Sequence, residues 1–429
     1  MKKIISFILI FLIILTSAVF AYTFEGNGTN GTNGANGTNG VNEADFDPAN
    51  QIPAGYDDDD YYDYYAVPAF MQTVFTDEPI RLSLDDAIDR MLSQGAPIEQ
   101  ANLMLLADRA RTRSHFDDVN IINSLRGAPP MPTGIPVGMR PSRTREEMAQ
   151  HAYEFAQVQA DRNFDAAVNA IRRDVIMHYY NLAHAKENLR ISLDNVATQE
   201  LLYRNVQSRF SLGVASRQEV LQAELGLAQA RVDAESNENT LAQARMAFNF
   251  AFGFDLLQNV ILTDTLEEVT ISGISLQNAI YRALENRNEI HGAVFDVGHF
   301  ELLRRETGNT VARSSGTYRS VVAGQRAAQA AYDNFPKQIE MEIRNKYINM
   351  TQRQSDIAIG RLKVANAREA FRLANLQYDL GMTTIAETHA ALLAVYNAEL
   401  FLNMALLQYN LAIVDFEMAT TVGTTRIPL

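Results

Sequence analysis

The sequence predicts an all-α protein built mainly from long antiparallel coiled-coil helices. Three observations point to this class. Only Pro336 and Pro428 follow Pro141, apolar residues recur at seven-residue spacing, and the whole pattern occurs twice. Proline inside a helix removes a backbone hydrogen bond and clashes with the preceding turn, so a long stretch almost without it favours unbroken helices.

The first long helix is predicted from about Arg143 to Ser211. Apolar residues stand seven apart within it, at Val168, Val175, Leu182, Leu189, Val196, Tyr203 and Phe210. A sustained heptad position of this kind marks the seam of a coiled coil. At ~1.5 Å per residue the helix would be roughly 100 Å long, which no compact globule requires.

The second half of the chain repeats this pattern. Counterparts of the seam residues follow 168 residues later, at Ile343, Met350, Ile357, Val364, Phe371 and Tyr378. The segments LSLDDAIDRML (82–92) and ISLQNAIYRAL (274–284) also match, at an offset of 192. We interpret the chain as an internal duplication of helical hairpins, with repeat 1 over 81–260 and repeat 2 over 261–429.

Each long helix is predicted to end in a tight reversal, LGVAS at 212–216 and LGMTT at 380–384. Gly213 and Gly381 can take the left-handed conformation that follows a helix end. Ser216, and either Thr383 or Thr384, are predicted to cap the returning helices. Both hairpin tips should therefore project far from the other end of the molecule.

The amino-terminal residues have a different composition. Residues 1–21 combine Lys2-Lys3, an apolar run and Val19-Phe20-Ala21, which predicts a secretory signal peptide and export to the cell envelope. Residues 22–80 are predicted to be a flexible linker. Their Gly, Asn, Thr and acidic residues cannot bury enough apolar area to offset the loss of backbone entropy.

Composition excludes several classes of function. A net charge of −14 suits neither DNA nor RNA, and the absence of cysteine rules out thiol catalysis. The seven histidines form no HExxH motif, and the sequence contains no phosphate-binding loop and no nucleophile elbow. We therefore predict no enzymatic activity, no cofactor and no metal site.

The reversal LGVASRQEVLQAE, the two matching helix openings and the twofold repeat together resemble the TolC family of outer-membrane efflux proteins, over roughly residues 82–423. The resemblance implies a homotrimer in the outer membrane whose hairpins form a hollow α-barrel. It also implies passive export of solutes after docking to a periplasmic adaptor and an inner-membrane pump. The adaptor-facing tips would be Leu212, Gly213, Val214, Leu380, Gly381 and Met382.

Two acidic residues are candidates for a constriction of the tube. The resemblance implies acidic side chains just after the second reversal, where this chain has Glu387 and Ala390, and Glu219 holds the matching place in repeat 1. An exposed glutamate in the first turn of a helix is also a common complement to the helix dipole. The sequence leaves both interpretations open.

The inserts between the first and second helices of each repeat depart from the family pattern. The resemblance implies a pair of membrane strands there, each with about 9–11 alternating residues. The first insert, at 114–144, contains five prolines, and the second, at 304–322, is short and polar. We therefore expect little or no β-barrel. No uninterrupted apolar run of about 18 residues follows the leader, so no membrane-spanning helix is expected either.

An alternative function is compatible with the same helices. An exported, non-conducting coiled-coil protein could link or space layers of the envelope, and it would share the heptads and the duplication. It would be a monomer or a dimer, whereas a conduit must be a closed ring. The two matched reversals favour the conduit, because a spacer has no need of them.

Overall fold

The computed structural model describes residues 78–128, 140–269 and 275–429. The predicted leader and all of the predicted linker except residues 78–80 lie outside these ranges. The elements in chain order are β1 (Ile80–Leu82), α1 (Leu84–Gln94), α2 (Ala96–Gly127), α3 (Arg143–Ser211), α4 (Arg217–Phe252), β2 (Val260–Leu262), α5 (Leu276–Asn286), α6 (Asn288–Thr310), α7 (Gly316–Asp379) and α8 (Ile385–Ala419).

The fold is all-α, as predicted, and is organised as two related halves. The helices α1 and α5 are both 11 residues long and begin 192 residues apart. Ser83 and Ser275 cap them by accepting a hydrogen bond from the backbone three residues later. Strands β1 and β2 pair in parallel with Ile80 opposite Val260, and they are the strands of the described residues.

The two long helices form the frame of the molecule. α3 has 69 residues and spans the range predicted from its heptads, and α7 has 64 residues. Each is followed by an antiparallel returning helix, α4 after α3 and α8 after α7, which packs along it. α8 also packs against α3 and α4, so it lies between α7 and the first hairpin.

The predicted seam is buried along most of α7 and along part of α3. On α7, Ile343, Met350, Ile357, Val364 and Tyr378 are buried. On α3 the seam is buried at Val175 and Leu182, but Phe210 at its end is exposed. Near that tip Leu202 and Val206 are buried instead. A strict seven-residue repeat drifts around a straight helix of 3.6 residues per turn, so neighbouring positions take over the core.

Where the structure describes them, the inserts that the sequence singled out are largely helical. In repeat 1, α2 continues to Gly127, and residues 129–139 lie outside the described ranges. In repeat 2, α6 ends at Thr310 and α7 begins at Gly316, so a five-residue link joins two antiparallel helices. The second repeat therefore turns back at this point through a short bend.

One helix of the described residues differs from the expectation about membrane spans. α8 is long and apolar enough to cross a membrane, with a mean hydropathy of 1.6 in its best window, of which 33% is buried within the protomer. Its apolar stretch is interrupted by polar residues, so a search for an uninterrupted apolar run does not predict it. Two of these polar residues contact the rest of the protomer: Asn403 donates to Asn188 Oδ1 at 2.7 Å, and Asn410 donates to the carbonyl of Glu267 at 2.7 Å.

The first prediction tests which side of α3 is covered. Leu182 is 3% exposed in the main core cluster, whereas Leu193 on the same helix is 53% exposed. Leu182→Ala should lower the free energy of unfolding by about 2–5 kcal/mol, because it leaves a cavity in the core. Leu193→Ala should change it by about 0.5 kcal/mol or less. Urea unfolding followed by circular dichroism measures both, and equal effects would contradict the assigned helix face.

Candidate functional site: the hairpin tips

The first tip is a helix end of defined hydrogen-bonding geometry. α3 ends at Ser211, and Gly213 has a φ of 76°. The Gly213 N–H donates to the Phe210 carbonyl at 2.9 Å, and the Val214 N–H donates to the Arg209 carbonyl at 2.9 Å. These two bonds define a Schellman motif, which satisfies carbonyls that the last turn of a helix leaves free.

The second tip repeats this geometry bond for bond. Gly381 has a φ of 73°. Its N–H donates to the Tyr378 carbonyl at 3.0 Å, and the Met382 N–H donates to the Gln377 carbonyl at 2.8 Å. A Cβ placed on Gly213 or Gly381 would meet no other atom within 4 Å, so the left-handed backbone alone accounts for glycine here.

Each returning helix then begins with a capping box. The Ser216 side chain accepts from the Glu219 backbone at 3.3 Å, and the Glu219 carboxylate accepts from the Ser216 backbone at 2.6 Å. In the second repeat Thr384 and Glu387 exchange the same pair of bonds, at 3.3 and 3.2 Å. Of the two threonines that the sequence left open, Thr384 is the cap. Thr383 donates a further hydrogen bond to the Glu387 carboxylate.

Both glutamates proposed for a constriction are thus engaged in capping. A carboxylate at this position satisfies a free N–H and complements the positive end of the helix dipole. This is the structural role that the sequence offered as the alternative. A second role in a constriction stays a prediction, because it depends on how copies of the chain assemble.

The tips present apolar side chains to solvent. Leu212 and Val214 are 77% and 64% exposed, and Leu380 and Met382 are 67% and 73% exposed. In each tip they flank the positive-φ glycine, which fixes the direction in which they project. Four large apolar side chains on two adjacent reversals are typical of a surface that binds another protein.

The two tips of one chain are packed together. Arg209 Nη1 donates to the Asp379 carbonyl at 3.2 Å, and its guanidinium lies 4.8 Å from the centre of the Tyr378 ring. Tyr378 and Ile385 of the second hairpin share a buried cluster with Leu202 of the first. Burial raises the pKa of Tyr378, and the negative charge of a nearby glutamate raises it further.

The contact between Arg209 and Tyr378 was not predicted from the sequence. The one sequence feature that pointed to it is a difference between the two repeats. Tyr378 matches an aromatic residue, Phe210, whereas Arg209 matches the uncharged Gln377. The six predicted tip residues do lie together at one end of the molecule. Among the described residues, no group of three or more histidine, aspartate or glutamate side chains could hold a metal ion.

Comparisons with solved structures identify the fold. A membrane protein from Pseudomonas aeruginosa matches with a TM-score of 0.61 at 16% identity, covering 79% of this chain and 90% of that chain. The CmeC outer-membrane channel of Campylobacter jejuni matches at 0.60 and 15% identity, covering 80% and 86%. The outer-membrane protein VceC of Vibrio cholerae matches at 0.59 and 14% identity, covering 80% and 97%.

The chain therefore has the fold of the TolC-type outer-membrane channels, as its sequence resemblance predicted. No family model and no curated protein sequence matches it. The likeness to these channels is one of fold, at 14–16% sequence identity.

The second prediction concerns the stability of the tips. Ser216→Ala and Thr384→Ala each remove the side-chain acceptor of a capping box and should cost about 1 kcal/mol locally. Amide hydrogen exchange should accelerate about fivefold in the first turns of α4 and α8 and stay unchanged elsewhere. Ser236→Ala, in the middle of α4, is the matched control. Unchanged exchange in the two cap variants would show that the boxes do not hold the tips.

Proposed function

We propose that this chain, which has the fold of outer-membrane channels, is the outer component of an export system and forms a passive conduit for solutes. In this proposal three copies close into a ring, and the hairpin tips dock onto a periplasmic adaptor that connects the ring to an inner-membrane pump. The chain itself performs no chemistry. The observation that carries the proposal is a pair of uncovered apolar seams on opposite edges of the protomer.

The first seam lies on α4, at one edge of the protomer. Leu221, Leu225 and Val232 are exposed and spaced by four and seven residues, which places them on one side of the helix. The covered side of α4 carries Ala223, Leu227, Ala230 and Ala234 instead. We call the exposed set the α4 seam.

The second seam lies on α7, at the other edge. Its members are exposed apolar residues at two heptad positions three residues apart, distinct from the buried heptad that faces α8, and we call them the α7 seam. Polar residues, among them Ser355 and Glu369, hold some of the intervening positions. The α7 seam comprises Met341, Ile348, Ile359, Leu362, Leu373 and Leu376. Such a repeat predicts a coiled-coil contact, and within the described protomer that contact is not made.

The geometry of the two edges favours a ring. The α4 seam and the α7 seam are different surfaces on opposite sides of one protomer, so copies would join head to tail. A head-to-tail interface makes a closed ring when the rotation between copies closes. Burying both seams of every copy removes the exposed apolar area and encloses a lumen between the hairpins.

Docking by the tips is the second part of the proposal. The exposed Leu212, Val214, Leu380 and Met382 offer apolar anchors, and the Schellman motifs and capping boxes hold them in position before a partner arrives. Pre-organisation of this kind lowers the entropic cost of association. A helical adaptor with matching apolar tips is the partner that the fold and these surfaces suit.

The third prediction tests the ring. Leu225→Glu in the α4 seam and Leu362→Glu in the α7 seam should each convert a trimer into monomers, because burying an unpaired carboxylate costs several kcal/mol. Light scattering of the protein purified without detergent measures the mass, and circular dichroism checks that helix content is retained.

Leu193→Glu is the matched control, since Leu193 is exposed on α3, away from both seams. It should leave the trimer intact. A wild-type protein that is monomeric in this measurement would favour the non-conducting coiled-coil alternative. A trimer that survives both seam variants would place the interface elsewhere on the protomer.

The fourth prediction tests conduction and the constriction together. If Glu387 lines the narrow end of the ring, Glu387→Ala should raise the single-channel conductance in planar lipid bilayers and lower the preference for cations, because a ring of carboxylates is removed. Thr384→Ala is the control, because it breaks the same capping box but keeps the carboxylate. A conducting channel with no change in either property would remove Glu387 from the constriction.

A further inference from the structure

The end of the molecule opposite the tips carries an unusual stretch of charge. Residues 307–332 comprise the end of α6, the link and the first turns of α7, and we call them the basic bend. They contain Arg313, Arg319 and Arg326 and no acidic residue, although the chain has 51 acidic residues and a net charge of −14. The bend is separated from the second tip by most of the 64 residues of α7, or roughly 80–90 Å.

The bend is well ordered by its own contacts. Phe300 of α6 packs against Gly324 of α7, at positions where a Cβ on the glycine would overlap the ring. Arg319 donates to the Ser314 carbonyl through Nε at 3.2 Å and through Nη2 at 2.6 Å, which closes the link. The three arginines are therefore presented by a fixed backbone.

The three arginines are exposed and form no ion pair with any described residue. Arg319 and Arg326 are seven residues apart, so they share one side of α7. That side is about 200° around the helix from Gly324, which packs against Phe300 of α6, and therefore points away from α6.

Two other arginines near this end of the molecule are paired with carboxylates. Arg145 lies 3.8 Å from Glu306, and Arg305 lies 3.4 Å from Glu147. The basic bend is thus a local excess of cations on a protein of negative net charge. Such a local excess attracts an anionic partner even though the net charge of the protein is negative.

The spacing of the cations indicates the kind of partner. Arg319 and Arg326 are separated by seven residues of helix, or about 10 Å along the axis, so a single phosphate cannot bind both side chains. A surface that carries many phosphates can. Val311 and Tyr332, at the edges of the bend, are exposed apolar side chains of the kind that lie between lipid headgroups.

We propose that the basic bend is a docking surface for the phosphate headgroups of an anionic membrane, placed at the end of the protein opposite the tips. Each arginine near an anionic lipid surface strengthens binding roughly fivefold. In a trimer three copies of the bend would act together, which raises the overall avidity further. The proposal does not require conduction, and it can fail while the ring holds.

The fifth prediction is a vesicle-binding measurement on the chain without its predicted leader. Wild-type protein should sediment with vesicles of phosphatidylcholine and phosphatidylglycerol, and not with phosphatidylcholine alone. The triple variant Arg313→Gln, Arg319→Gln, Arg326→Gln should bind the anionic vesicles on the order of 100-fold more weakly. Raising the salt concentration should weaken wild-type binding, because the charges are exposed.

A matched control separates position from net charge. Arg81, Arg172 and Arg282 are also exposed, form no ion pair with a described residue and lie outside the basic bend. Replacing all three with glutamine changes the net charge equally and should leave binding within about twofold of wild type. Light scattering of each preparation reports the ring independently.

Any of four results would overturn the proposal. The first three are equal binding of wild-type protein to neutral and anionic vesicles, retention of binding by the bend variant, and an equal loss in the control variant. Failure of the wild-type protein to bind either vesicle would also overturn it, with the trimer mass in the same sample showing that the proposed function still stands.

Discussion

The 69-residue helix α3 carries apolar residues along its length, and in water these must be covered, because most of the stability of a helix in a protein comes from packing its apolar face. α3 and α7 meet this requirement with their heptad seams, which bury Val175, Leu182, Ile343 and Ile357 against returning helices and their neighbours. The returning helix must cover the long helix up to its last turn. The reversal therefore lies at the end of the long helix, and the seams determine where the tips lie. The same requirement applies to the α4 and α7 seams. They are apolar and uncovered in one protomer, so we expect a neighbouring copy of the chain to cover them.

Several contacts between the two hairpins are polar. α8 carries His389, Tyr396, Asn403 and Asn410 at heptad spacing, on the side that meets α3 and the segment after β2. Tyr396 lies 3.2 Å from the Ser192 hydroxyl of α3, and Asn237 of α4 donates to the Tyr396 hydroxyl at 3.4 Å. Polar residues in a coiled-coil seam give up some stability, because they must be desolvated, but they fix the register of the helices. Here they align the second hairpin with the first, which sets the two tips side by side.

Much of this fold could be predicted from the sequence because its determinants are local and repeated. The heptads predicted the range of α3, Gly213 and Gly381 predicted the reversals, and Ser216 predicted a cap.

Contacts made across large separations in sequence had no such signal. Arg426 binds the buried Asp108 at 2.8 Å, and Asn163 exchanges two hydrogen bonds with the backbone of Ile427, so the end of the chain straps α2 to α3. Single polar residues far apart in the chain show no periodicity that would pair them. The exposure of the α4 and α7 seams was also invisible, because an apolar heptad in a sequence does not say which molecule covers it.

The duplication is retained closely at one end of the molecule and is lost at the other. At the tips both repeats keep the same helix end, the same positive-φ glycine and the same capping box, with exposed apolar side chains at matching positions. At the opposite end repeat 1 has the 32-residue α2 bound by the chain terminus, whereas repeat 2 has the basic bend. Two copies of a segment keep the same detailed structure where both must form the same turn and present the same surface. A trimer would present two such reversals from each of three protomers, so a partner at that end would meet six nearly equivalent surfaces. The opposite end faces no such repeated demand, and its two halves are free to contact different surroundings.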